Sequence, residues 1–205
     1  MQIGQQSATI RSQLPHHARH NTMPVVALTA TATGYVAGEI ISSLQLRDPV
    51  TVVADLNRPN LIYMVVLNDE QTSRSLGGLL QQLVSEGLVR VAECTKVEPG
   101  SGIVYLNMTS DCEMIADFLR EEGYSAVACH AKLSTEDRAE AMRAWRANEV
   151  QIIVGTDVLG MGIDKEDVRF VVFAKIPECP ESLLQQMGRA GRDGKAALCL
   201  ASVFS

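Results

Sequence analysis

Short runs of consecutive apolar residues alternate along this chain with longer stretches whose apolar positions recur every three or four residues. The runs are "VVAL" (25–28), "VTVVAD" (50–55), "LIYMVVLN" after a proline turn (57–68), "GIVYLN" (102–107), "SAVACH" (125–130), "VQIIVGT" (150–156), "VRFVVFA" (168–174) and "AALCLASVF" (196–204). Runs of this length and character predict strands buried on both faces. Between them the spacing predicts helices over 35–46, 73–87, 110–123, 134–148 and 180–192, the second weakened by Gly77 and Gly78. Ser110 with Glu113, and Ser134 with Asp137, are candidate caps; Gly123 closes one helix and Pro180 opens another. Ala141, Met142 and Trp145 share one helical face.

Buried strands alternating with amphipathic helices argue for a mostly parallel sheet covered on both faces, with ligands at the loops beyond the carboxyl ends of the strands. Residues 1–22 lack apolar periodicity and predict an irregular terminus. The grouping of His16, His17 and His20 is read as part of that terminus rather than as a metal site.

Composition narrows the picture. A length of 205 residues suits one large domain, or one domain plus a piece of another. No run of 18 apolar residues predicts a membrane span, and the polar N-terminus has no signal-peptide core, so the expected setting is intracellular. The five cysteines form no CxxC pair and no zinc-finger spacing with histidine, which predicts reduced, mostly buried thiols and no metal centre. The net charge of −6 means that any contact with nucleic acid is local and aimed, since phosphate affinity comes from Lys and Arg.

Three segments carry candidate chemistry. "QQMGRAGRDG" (185–194) sets Arg189 and Arg192 three apart at a predicted helix end, with Gly188, Ala190 and Gly191 leaving room for close approach. A guanidinium is a permanent cation whose planar fork matches phosphate oxygens. "GTDVLGMGID" (155–164) follows a strand; Gly160 and Gly162 permit close backbone approach, Thr156 offers a hydroxyl and Asp164 a carboxylate for ribose. "HAKLSTEDR" (130–138) puts His130 and Lys132 beyond a strand and Arg138 on the next helix; taken alone, the segment reads better as a satisfied loop histidine than as a site.

Taken together, "ALTATAT", "NRPNLIY", "SGIVYLN", "HAKL…R", "TDVLGMGIDK…VRFVV" and "QQMGRAGRDG" resemble the successive signatures of RecQ-type DNA helicases over residues 24–205. Gln185 and the trailing Asp193-Gly194 differ from the pattern usual in DEAD-box RNA helicases. The resemblance implies an α/β fold, a RecA-like three-layer α/β/α domain over 57–205, preceded at 24–56 by the strip of a first RecA-like domain, after an irregular terminus at 1–23. It implies ATP and Mg²⁺ as cofactors, single-stranded or forked DNA as partner, 3′–5′ movement and, in a eukaryote, a nuclear protein. By the same resemblance Arg189 and Arg192 reach the γ-phosphate with Gln185 arranging the interface, and Asp164, Gly162, Gly160 and Gly188 lie at the nucleotide. Thr156, His130, Lys132 and Asn107 face the DNA backbone, and Thr29 and Thr31 couple nucleotide to DNA. Met108-Thr109, Lys132, Phe173 and Leu183-Leu184 depart from the family's usual residues.

Neither a GxxxxGK[ST] loop nor an Asp-Glu-x-His box occurs in the 205 residues, so the expectation is an incomplete motor without ATPase activity of its own. A non-catalytic nucleic-acid- or partner-binding module and an RNA helicase domain stay open beside it. The strip at 24–56 is expected to leave apolar surface without sheet neighbours.

Overall fold

The computed structural model describes residues 25–29, 33–46, 48–53, 57–68, 100–160, 163–174, 176–177 and 179–204. The helix expected over 73–87 lies outside the described residues, as do Thr31, Gly162, Cys94 and residues 1–23. The chain divides into two compact units, Met1–Leu56 and Asn57–Ser205.

The first unit contains helix α1, Gly34–Leu44, capped by the Thr33 hydroxyl, which accepts from the Val36 N–H at 3.3 Å. The strands expected at 25–28 and 50–55 are not formed at their described residues, and Val26, Leu28, Val50, Val52 and Val53 are exposed. A strand needs a neighbour to satisfy its backbone, and among the described residues of this unit none supplies one.

The second unit holds a six-stranded sheet: β1 Leu61–Asn68, β2 Ser101–Tyr105, β3 Ala126–Cys129, β4 Ile152–Gly155, β5 Val168–Phe173 and β6 Ala197–Phe204. The order is β1-β6-β5-β2-β4-β3 and every pairing is parallel. Side chains alternate between two cores, as the period of two in a strand requires. Val104, Val154, Val172 and Leu200 meet Cys112, Ile115 and Leu119 of helix α2, Thr109–Glu121. Ile103, Ile153, Val171 and Cys199 face the other way, onto Ala141 and Trp145 of α3, Thr135–Arg146, and onto Leu183 and Met187 of α4, Pro180–Met187. The result is three layers, α/β/α.

Gly102 sits mid-strand because a Cβ there would lie 1.9 Å from the Phe170 ring. Its carbonyl accepts the Trp145 indole N–H at 3.2 Å, tying α3 to the sheet centre. Ser134 caps α3 as expected, accepting from the Asp137 N–H at 3.0 Å. Ser110 does not cap α2: the helix starts one residue earlier, after Met108, and the Ser110 hydroxyl turns to Asp111. Cys112, Cys129 and Cys199 are free and buried, and burial pushes the Cys112 and Cys199 thiols up to about 12; Cys179 is exposed.

Among the described residues, no helix is long and apolar enough to cross a membrane.

Candidate functional site

Topology sorts the predicted site residues into two groups. β2, β4 and β3 are neighbours in that order. Asn107 lies two residues past the end of β2, while Thr156 and His130 directly follow β4 and β3. These positions therefore line one carboxyl edge of the sheet. Asn107 and Lys132 are exposed there and Thr156 is partly so. His130 is 2% exposed, its imidazole Nε2 3.3 Å from the Glu113 carboxylate, so it is withdrawn from the surface that it was expected to offer.

The arginine segment lies elsewhere. The helix expected over 180–192 ends at Met187 with Gly188 as its cap, and Arg189 to Arg192 form turns rather than a helix face. The loop then leads back into the amino end of β6, as a connection following a crossover helix must. Its partners lie at that edge: the Gly191 N–H bonds to the carbonyl of Val168, the first residue of β5, at 2.8 Å. The backbone of the loop is anchored at that amino edge, while the Arg189 side chain lies beside Tyr105, the last residue of β2.

The two arginines have different settings. Arg189 is 5% exposed, and its guanidinium donates to the Ile163 carbonyl at 3.2 Å. It lies beside Tyr105, whose ring stacks on Phe173 at 5.4 Å between centroids. Burial pushes the Tyr105 hydroxyl up to about 12, against the opposing pull of the Arg189 charge. Arg192 is the accessible one: its side chain is 34% exposed and donates to Asp164 Oδ1 at 2.8 Å, with Asp164 itself 88% exposed. The sequence pattern had offered two bare cations; the fold presents one at the surface and seats the other beneath it. Gln185 is exposed on α4, whereas its neighbour Gln186 is buried and donates to Asp157 Oδ1 at 2.8 Å.

Residues with no marked role in the sequence build the loop. Asp193 pairs with Arg169 of β5, a buried arginine that also donates to the Ala196 carbonyl at 3.2 Å. The Asp193 carboxylate in addition accepts the Lys195 N–H at 3.1 Å. The bond from Arg169 holds the Asp193 carboxyl below the usual carboxylate range. A group with a depressed folded pKa stabilises above its unfolded value, about 3.9 for Asp, and loses that contribution as pH falls through the folded value. Asp193→Asn is therefore expected to lower the denaturant midpoint at pH 7. The gap from wild type should begin to narrow only near about pH 4 and close below the folded value, which a series of urea titrations descending from pH 7 through that range checks. Sequence reading missed Arg169 because a charge inside an apolar strand run leaves no periodic trace; its only signal was a lone cation in "VRFVVF".

Residues 80–194 match the model described as the helicase conserved C-terminal domain. The chain belongs to that helicase family. It is 39% identical over 178 residues to the ATP-dependent DNA helicase Q-like 2 of Arabidopsis thaliana and 36% identical over 184 residues to the ATP-dependent DNA helicase RecQ of Pasteurella multocida. These alignments cover 87% and 90% of this chain but 24% and 26% of the relatives, so the chain spans about a quarter of their length. Among solved structures, S. cerevisiae Dbp5 bound to RNA and ADP BeF3 superposes with a TM-score of 0.66 at 19% identity, covering 86% of this chain and 44% of that one. The E. coli DEAD-box protein SrmB gives 0.55 at 22%, with 69% and 76% covered. These likenesses establish the RecA-like helicase fold.

Proposed function

We propose that this chain supplies the second motor domain of an ATP-dependent 3′–5′ DNA helicase. The observation that carries the reading is the accessible Arg192 guanidinium, held by Asp164 on a loop anchored to the sheet edge. The chain's relatives are named as ATP-dependent DNA helicases, and a guanidinium fork matched to phosphate is the part that such a motor needs from its second half.

The donor set fits the phosphate and ribose end of a nucleotide. Arg192, with Arg189 behind it, neutralises charge on the terminal phosphate; Asp164 accepts from ribose hydroxyls; Gly160, Gly162 and Gly188 allow close approach. Gln185, exposed on α4, meets the opposite wall of the cleft. Bound nucleotide supplies the phosphoanhydride whose hydrolysis drives movement. Asp164 also accepts the 2.8 Å bond from Arg192. Among the described residues no group of three His, Cys, Asp or Glu side chains could hold a metal. In this reading Mg²⁺ is held by ligands of the first motor domain, with Thr29 and Thr31 coupling that domain to the DNA. The carboxyl-edge row of Asn107, Thr156 and Lys132 takes the backbone of a single strand, and its one lysine makes the contact aimed rather than diffuse.

A polypeptide carrying this segment behind a first motor domain is expected to unwind a DNA duplex with a 3′ single-stranded tail when ATP and Mg²⁺ are supplied. Absence of unwinding, or preference for the matching RNA duplex, overturns the reading. This chain alone is expected to show no ATP turnover.

A further inference from the structure

The segment "NRPN" (57–60), which leads into β1, reaches across to the arginine loop more than 130 residues away. The Arg58 guanidinium donates through Nη2 to the carbonyls of Ala190 at 3.0 Å and Gly191 at 2.7 Å. Asn60 Nδ2 donates to the carbonyls of Gly191 and Lys195, both at 2.9 Å, and Arg58 Nε meets Asn60 Oδ1 at 3.4 Å. The Asn60 carbonyl accepts the Ala197 N–H at 3.0 Å, completing the join. Two side chains therefore satisfy the backbone oxygens that lie between Arg189 and Arg192.

The fit is close. Gly191 has φ +55, and a Cβ there would lie 2.6 Å from Asn60 Nδ2 and 2.7 Å from the Lys195 carbonyl. Ala190 and Gly191, at the centre of the loop, bring no polar side chain of their own, so that stretch is held by what grips its carbonyls. Arg58 is suited to that grip because its fork spans two acceptors, which a lysine ammonium on a single carbon stem does not do in a fixed plane.

We infer that Arg58, seconded by Asn60, is a positioning residue for the arginine loop: it sets the orientation in which Arg192 is offered to the nucleotide. This rests on the proposed role of Arg192 and goes beyond it by assigning a function to "RPN". The two segments "NRPN" and "GRAGRDG" are then one device, divided in sequence and joined in space.

Two experiments test it. In this chain, amide exchange of residues 188–195 is expected to accelerate in Arg58→Ala while the amides of β2, β4 and β5 keep their protection. In a polypeptide carrying a first motor domain, Arg58→Ala is expected to lower kcat for ATP hydrolysis by about tenfold to a hundredfold, the size of effect that a small misplacement of a catalytic group produces. KM for ATP should stay within about twofold, and Arg58→Lys should fall between the two. Arg192→Ala is measured beside them. If Arg192→Ala loses turnover and Arg58→Ala keeps it, the positioning role is wrong and the nucleotide reading survives. If Arg192→Ala keeps turnover, the nucleotide reading itself is wrong. If Arg58→Ala loses kcat together with exchange protection throughout the sheet, the residue is merely structural and the inference falls. If Arg58→Ala does not fold, Arg58→Lys decides: a lowered kcat supports the role and an unchanged kcat overturns it.

Discussion

Arg192→Ala, placed in a polypeptide with its first motor domain, is expected to cut ATP turnover by about a thousandfold or more, the range in which arginine fingers act. Binding of a fluorescent ATP analogue should change by no more than a few fold, because charge that develops during hydrolysis, rather than the ground state, needs the second cation. The variant is clean for a structural reason. Arg192 is paired only at the surface, with a carboxylate that is itself open to water, and such pairs contribute about 0–1 kcal/mol to folding. Arg192→Lys keeps the charge but not the planar fork and should recover little. Arg189 is the less informative target. It is buried and bonded to the Ile163 carbonyl, so its loss disturbs packing and chemistry together. Turnover within a few fold of wild type in Arg192→Ala would remove the nucleotide from this loop.

Trp145→Ala is expected to produce the largest loss of stability, about 3–5 kcal/mol for a fully buried aromatic. The indole fills the core between α3 and the sheet, its N–H bonds to the Gly102 carbonyl at 3.2 Å, and the Lys165 ammonium lies 5.5 Å from its centroid. Lys165 is itself buried and held by Asp167 at 2.8 Å and Asn148 at 2.7 Å. Removing the ring therefore opens a cavity and leaves a buried cation with one wall gone. A urea denaturation curve read at the second unit, with unchanged slope and a lowered midpoint, checks this.

The layered architecture was legible because unbroken apolar runs such as "IIVG" and "FVVF" carry their own signal, and helices with a clear stripe such as the one holding Ala141 and Trp145 carry theirs. The strands expected at 25–28 and 50–55 did not form at their described residues. An apolar run is only a candidate strand, and without a neighbour it has nothing to pair with. The Ser110 cap failed because a helix can begin one residue earlier whenever its first N–H groups find water. At the site, the residue types were readable but not their depth: nothing in "HAKL" says that His130 lies under its loop, and nothing in "GRAGR" says that one arginine is covered. The Arg58 and Asn60 contacts were beyond reach for another reason. They join positions whose separation exceeds any periodicity, and only the sheet order brings them together.

That order has a consequence for biosynthesis. β1 leaves the ribosome well before its partner β6, with the Arg58 and Ala190 positions 132 residues apart. Slow closure of so long a loop makes the β1–β6 pairing a late event. Until it happens the loop from Gly188 to Lys195 lacks the grip of Arg58 and Asn60 on its carbonyls.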